Sequence, residues 1–265
     1  MDGSDTDEAS SLLRRASVLS ACREAALTRR QLTERVDASR TTIYRATVAL
    51  EERGLVRKTG NGYRTTAYGQ ALVAATEAYL DAIEAVDRLE PLLDIVDSPA
   101  LVEHAHLFSG ARVTVADASD PYRVVDRVME RLEGTSRSRG TLTNVTAVQA
   151  LEGANPRLEA TESIERIFAA SALEGHETVG GEAFADVAAD ETVTILVADD
   201  DTVPFSFAID DEGVTVAGHD PATGLPTVHI ESESAGARSW LETLYDQCRE
   251  RARPVQFDAS ERPAE

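Results

Sequence analysis

The chain has 265 residues, 42% of them hydrophobic, and carries a formal charge of −21 from 26 basic and 47 acidic side chains. That length predicts one large or two ordinary domains with a core that needs no disulfide or metal, and the apolar content argues against disorder. Two distant cysteines, Cys22 and Cys248, argue against a disulfide framework or a structural zinc site, and no apolar run approaches the 18 or so residues of a membrane span.

Lys58 is the only lysine, so 25 of the 26 basic residues are arginine. Such acidity argues at first sight against nucleic acid, because phosphate neutralisation needs local positive charge. An acidic, almost lysine-free composition resembles the proteins of salt-loving archaea, and on that resemblance bulk charge reports the solvent rather than the partners. The opening MDGSDTDEASS lacks the basic and apolar regions of a signal peptide. The expectation is a cytoplasmic, reduced protein with acidic or polar tails at 1–8 and 255–265.

Taken in chain order, the charge changes sign early. Between Thr28 and Thr66 nine basic residues face four acidic ones, +5 over 39 residues, which leaves −26 on the other 226. A basic island in an acidic chain is either a nucleic-acid footprint or a solvated face, and the local pattern favours the footprint. Leu12, Leu13, Ala16, Val18 and Leu19 suggest a helix. Thr28 is an N-cap for a short helix to Val36 with Leu32 and Val36 at i, i+4. Asp37-Ala38 is a tight turn, and Ser39 caps a helix to about Arg53 that stripes Ile43, Ala46, Thr47 and Leu50. Gly54 closes it, and Leu55-Val56 and Tyr63-Arg64-Thr65 are strands about a Gly60-Asn61-Gly62 turn.

These pieces predict a winged helix-turn-helix over 9–66. Arg40 and Arg45 can reach phosphate or guanine, while Thr41 and Thr42 can meet a thymine methyl or a backbone oxygen. The predicted DNA-binding set is Thr28, Arg29, Arg30, Ser39, Arg40, Thr41, Thr42, Tyr44, Arg45, Arg57, Lys58, Asn61 and Arg64. The stretch SRTTIYRATVALEERGLVRK followed by GNGYRTTAYG resembles the winged helices of MarR, ArsR and TrmB-like regulators. Leu50, Glu51, Gly54, Leu55, Val56, Tyr63, Thr66 and Gly69 carry that resemblance, and Thr47 departs from it where leucine is commoner, which predicts looser packing.

Residues 67–96 read as a connector helix, with a seam at Leu72, Tyr79, Ile83, Val86 and Leu93 and a kink at Pro91. Such a seam can pair with its twin in a homodimer on a two-fold operator, or pack on its own chain. From 97 to 254 strands and helices alternate, predicting an α/β domain with a mixed sheet and an α+β chain as a whole. Strands are expected at 111–116, 141–148, 193–198, 204–209, 214–218 and 227–230, and helices at 121–132, 162–172 and 235–251.

Enzyme signatures are scarce: there is no GxSxG, P-loop, HExxH or dinucleotide-binding glycine fingerprint. A phospholipase-D-type HxK pair is impossible, because the only lysine lies in the wing. His104 and His106 could put two imidazoles on one side of a strand for a metal, but no third ligand is marked nearby. Asp117, Ser119, Tyr122 and Arg123, in a loop that leaves a strand and opens a helix, are candidate effector contacts or a capped turn.

The stretches LFSGARVTVADASDPYRVVDRVMERL and VPFSFAIDDEGVTVAGHDPATGLPTVHIESESAGARSWLETLYDQCRE resemble the effector domain behind winged helices in the FilR1-like methanogenesis regulators. Pro204-Phe205, Asp210-Asp211, Asp220 and Trp240 stand at recurring positions, and 145–181 fits less clearly. The resemblance implies a transcription regulator with a small-molecule-sensing domain and no catalysis; the expected partners are double-stranded DNA and a second copy of the chain, with no cofactor and no membrane. Two alternatives remain: an enzyme or metal-dependent sensor using His104 and His106, and a protein-interaction module built on a winged helix.

Overall fold

A computed structural model describes residues 10–144, 162–174 and 191–255. Residues up to Asp81 and residues from Ala82 onward form two compact units.

The N-terminal unit contains α1 (Ala16–Glu24), α2 (Arg29–Val36), α3 (Arg40–Glu52), β1 (Val56–Thr59) and β2 (Gly62–Thr65). The local expectations hold residue by residue. Thr28 and Gln31 form a reciprocal capping box on α2, and Ser39 Oγ accepts from the Thr42 amide at 3.1 Å to cap α3. Asp37 turns the chain in the left-handed region at φ 48°. The α3 stripe Ile43, Ala46, Thr47, Leu50 is buried with Leu19, Cys22 and Leu32, and each full aliphatic burial contributes roughly 2 kcal/mol. Leu27 and Tyr63 exchange two backbone hydrogen bonds of 3.0 and 2.8 Å, which fastens the wing to the start of α2.

The residues of the winged-helix resemblance have structural work. Thr66 Oγ1 donates to the Gly54 carbonyl at 2.7 Å and accepts from the Gly69 amide at 3.0 Å. A Cβ on Gly69 would lie 2.0 Å from the Leu55 carbonyl oxygen, so only glycine fits there.

The connector is two helices, α4 (Ala67–Arg88) and α5 (Glu90–Leu93), with Pro91 in the first turn of the second. Of its predicted seam, Leu72 packs on the N-terminal core and Leu93 on the C-terminal core, whereas Tyr79, Ile83 and Val86 are exposed.

The C-terminal unit continues through α6 (Pro99–His104), a 3-10 turn (Ala105–Phe108), β3 (Arg112–Val115), α7 (Arg123–Glu133) and β4 (Arg137–Leu142). Beyond these lie β5 (Ser163–Ala169), α8 (Ala170–Glu174), β6 (Val193–Ala198), β7 (Ser206–Asp210), β8 (Val214–His219), β9 (Pro226–Ser232), α9 (Ala235–Arg251) and β10 (Arg253–Pro254). The described strands form one mixed sheet of order β10-β6-β5-β4-β7-β8-β9-β3, parallel across β6-β5-β4 and antiparallel elsewhere.

Most expected strands and the closing helix stand where the pattern put them. The helix expected at 162–172 is a correction: Ser163–Ala169 is strand β5, and only Ala170–Glu174 is helical. Ile164 and Ile167 mimic a helical i, i+3 pair, but parallel partners on both edges make this a central strand buried on both faces. The strand expected at 141–148 is Arg137–Leu142, and its later part lies outside the described residues.

Strand alternation gives the sheet two different faces. Ile209, Val214, Val216 and Ile230 join Leu241 and Tyr245 of α9 in an apolar core. The face under α7 buries polar groups instead: Ser138, Arg166, Asp210, Thr215, His229 and Glu231.

Candidate nucleic-acid interface and buried cavity

With its apolar stripe turned inward, α3 presents Arg40, Thr41, Thr42, Tyr44 and Arg45 outward from its capped N-terminal turns. Arg57, Lys58, Asn61 and Arg64 are exposed on the wing. None of the five cations Arg40, Arg45, Arg57, Lys58 and Arg64 has an ion-pair partner among the described residues, whereas Arg23, Arg30 and Arg35 each have one. Arg57 and Arg64 are also direct cross-strand partners. Like charges opposite each other weaken a hairpin, and a phosphate bridging them removes that repulsion.

Three members of the predicted set serve the fold. Thr28 and Ser39 spend their hydroxyls on the caps. Arg29 is held between Tyr44 and Tyr63, its guanidinium 4.4 and 5.2 Å from the two ring centres, while its Nε donates to Thr47 Oγ1 at 3.0 Å. Thr47, expected to loosen the packing, instead ties α3 to α2.

The Asp117 loop closes on itself. Asp117 Oδ1 accepts from the amides of Ser119 and Asp120 at 2.8 and 3.1 Å and from the Ser119 hydroxyl. Those bonds, the Ser119 hydroxyl first, hold its carboxyl below the usual range. Arg123 pairs with Asp117 and Asp120, and Tyr122 is exposed. The four residues form one surface turn, α7 begins only at Arg123, and none of them lines the cavity described below.

His104 and His106 are not on a strand. His104 ends α6, stacks on Trp240 at 4.5 Å and 6°, and places Nδ1 2.9 Å from the Ala100 carbonyl; His106 is in the 3-10 turn. Among the described residues no group of three or more His, Cys, Asp or Glu is placed to hold a metal. The recurring family positions are structural here. Phe205 packs on Trp240, Asp211 accepts from the Ser136 and Arg137 amides, and Asp220 accepts from the Ala222 and Thr223 amides.

Sequence reasoning missed a cavity of about 300 Å³ between α7 and the polar face of the sheet. Val125, Val128, Leu132 and Leu225 supply apolar walls, and Arg131, Arg166, Asp210, His219 and His229 the polar positions. Arg131 is spent: it grips both Asp210 oxygens at 2.7 Å and reaches Glu231, which Arg127 also holds. Among the described residues Arg166 donates to Ser138 Oγ and the Glu165 carbonyl, and burial pushes its guanidinium down to about 10. His229 is 3% exposed, and its buried Nδ1 has no hydrogen-bond partner among the described residues. Arg166 and His229 stand in strands that also carry Glu165 and Glu231, so no local pattern set them apart in the sequence.

The fold and the exposed cations define a winged-helix protein joined to an α/β domain. Residues 4–88 match the family model described as the HVO_A0261 N-terminal domain, and residues 121–251 match the methanogenesis regulatory protein FilR1, middle domain. The chain therefore carries an HVO_A0261-type N-terminal domain followed by a FilR1-type middle domain. No curated protein sequence matches it.

Among solved structures, the archaeal chromatin protein TrmBL2 aligns at 15% identity over 86% of this chain and 88% of its own, with a TM-score of 0.40. NucT from Helicobacter pylori aligns at 7% identity over 55% and 98%, with a TM-score of 0.41. The phospholipase D family member Nuc from Salmonella typhimurium aligns at 14% over 56% and 99%, with a TM-score of 0.40. At these scores the alignments bear no functional weight.

Proposed function

We propose that the protein is a sequence-specific DNA-binding transcription regulator that acts in the cytoplasm as a homodimer on promoter or operator DNA. The observation that carries this reading is the set of five exposed cations on α3 and the wing that have no ion-pair partner among the described residues, in a chain of charge −21. In the proposed complex the capped N-terminus of α3 enters the major groove with Arg40 and Arg45, and Arg57, Lys58 and Arg64 of the wing neutralise phosphates. Tyr79, Leu80, Ile83 and Val86 on α4, 41–53% exposed, are the face assigned to the second copy. Sedimentation of Ile83→Glu against the native protein checks this, and an unchanged assembly state removes α4 from the dimer.

The C-terminal domain is assigned the sensing role, with the effector in the cavity rather than at the self-satisfied Asp117 turn. An effector that prefers one arrangement of the dimer shifts its population and so its DNA affinity. The primary test is binding to the DNA upstream of its own coding sequence against random DNA of equal length, at the salt in which the protein folds. Native protein should prefer its own DNA, and folded Arg40→Ala/Arg45→Ala should lose that preference. Indistinguishable behaviour across a salt series leaves the winged helix as a protein-interaction module.

A further inference from the structure

The cavity under α7 has an unusual charge balance. Three guanidiniums, Arg127, Arg131 and Arg166, lie around two buried carboxylates, Asp210 and Glu231. Arg127 and Arg131 consume both carboxylates, and Asp210 Oδ1 also accepts from the Glu212 and Gly213 amides. Arg127 and Arg131 also pair with the exposed Glu130 and Glu212, whereas buried Arg166 has no carboxylate at ion-pair distance among the described residues, and Asp210 acts on it only from farther away. A buried charge without a counter-charge is costly, and Arg166 lines a space large enough for a ligand to supply one.

A second feature of the same cavity points the same way. His229 Nδ1 is an orphaned polar atom on a residue almost wholly buried, and buried polar groups are ordinarily satisfied. Burial keeps this imidazole neutral, pushed down to about 4. A neutral ring can offer one N–H to an oxygen. Arg166 stands on β5 and His229 on β9, with β4, β7 and β8 between them, so they address separate parts of the space. Val125, Val128, Leu132 and Leu225 make the rest apolar, and the volume sits at the lower end of the ~300–1,000 Å³ of small-molecule pockets.

We infer that this cavity binds a small, largely apolar organic acid, with its carboxylate on Arg166 and an oxygen at its other end satisfied by His229. This rests on the sensing role assigned above only for its regulatory meaning; binding itself is independent of DNA. Inorganic anions fit less well, because hydrated ions gain nothing from the apolar walls.

The test uses the full chain without DNA, by calorimetry and thermal unfolding at constant high salt. The probes are 4-hydroxyphenylacetate and hexanoate, each against its own carboxamide, with inorganic phosphate as a further arm. The expected result is binding of at least one acid about tenfold or more tighter than its amide, with the hydroxylated acid preferred. Arg166→Met should abolish the difference while leaving the unliganded melting temperature unchanged or higher, because it removes an uncompensated buried charge. A merely structural arginine would lower that temperature. Ala217→Leu, which narrows the cavity and keeps every charge, should block the acids as well and serves if Arg166→Met does not fold.

Equal binding of acid and amide, binding of phosphate alone, or no binding by protein that still selects its DNA overturns the inference. Acid binding that leaves DNA affinity unchanged supports the site and overturns its sensing role.

Discussion

Arg29 Nε donates a 3.0 Å hydrogen bond to Thr47 Oγ1, joining the helix before the turn to the helix after it. Thr47 Oγ1 in turn donates to the Tyr44 carbonyl at 3.0 Å, and the Arg29 guanidinium lies over the Tyr44 ring. A cation expected among the DNA contacts therefore ties α2 to α3 through Thr47 and the Tyr44 ring. Arg29→Ala should lower stability by about 1–2 kcal/mol through lost cation–π and hydrogen-bond contacts, and Thr47→Val by about 1 kcal/mol. Denaturant titration checks both. Arg45→Ala should leave stability within ~0.5 kcal/mol and weaken only DNA binding. If Arg29→Ala unfolds at the native midpoint, the positioning role is refuted.

The opposed Arg57 and Arg64 carry a different signature. If both neutralise phosphates, each alanine substitution should reduce the slope of log affinity against log salt by about 1. Relief of the like-charge pair should leave the free protein as stable as before or slightly more so. A salt slope that does not move in either variant places the wing away from the backbone.

Gly62 allows the wing to approach α2. Its φ is 129°, and a Cβ there would lie 2.3 Å from the backbone of Leu27, the residue that pairs with Tyr63. Gly62→Ala should cost more than ~2 kcal/mol and impair DNA binding. Native stability would mean that the wing can leave Leu27 without penalty.

In the C-terminal unit the two buried arginines should respond in opposite ways. Arg131→Met leaves Asp210 and Glu231 without their shared guanidinium and should destabilise by about 3–5 kcal/mol, unlike Arg166→Met. Equal losses in thermal unfolding would remove the distinction between a paired and an unpaired cation.

Acid stability should follow the histidines first. Burial pushes His219 and His229 down to about 4 from an ordinary 6.5, with Glu231, Arg131, Arg127 and Asp210 around His229. Between those values the unfolded chain binds protons that the folded protein excludes. Their contribution is fully present above pH 6.5 and is lost as pH falls toward 4, on the order of 3 kcal/mol for His229 and less for half-buried His219. Glu231, Asp117 and Asp220 are held below the usual carboxylate range, so their contributions are lost only at lower pH. Denaturant midpoints from pH 7 to 4.5 at fixed salt should fall, and less steeply in His229→Gln. A flat native profile would contradict this assignment.

Local chemistry made the N-terminal unit legible. Thr28 and Ser39 cap the helices that follow them, Ile43, Ala46, Thr47 and Leu50 recur at helical spacing, and Gly60-Asn61-Gly62 turns the wing. Each signal lies within a few residues of the structure it specifies, so composition and spacing determined the helices, the hairpin and the exposed cations. The C-terminal site has no such signal. Ser163–Ala169 has helical spacing, and only pairing with β4 and β6 makes it a strand. That pairing turns Arg166 under α7, on the face it shares with Asp210, 44 residues later, and His229, 63 residues later. A cavity is a property of surfaces brought together: among the described residues Arg127 and Arg131 hold Asp210 and Glu231, and Arg166 has no carboxylate at ion-pair distance. Those distances in sequence are closed by the sheet, so the tertiary structure alone decided them.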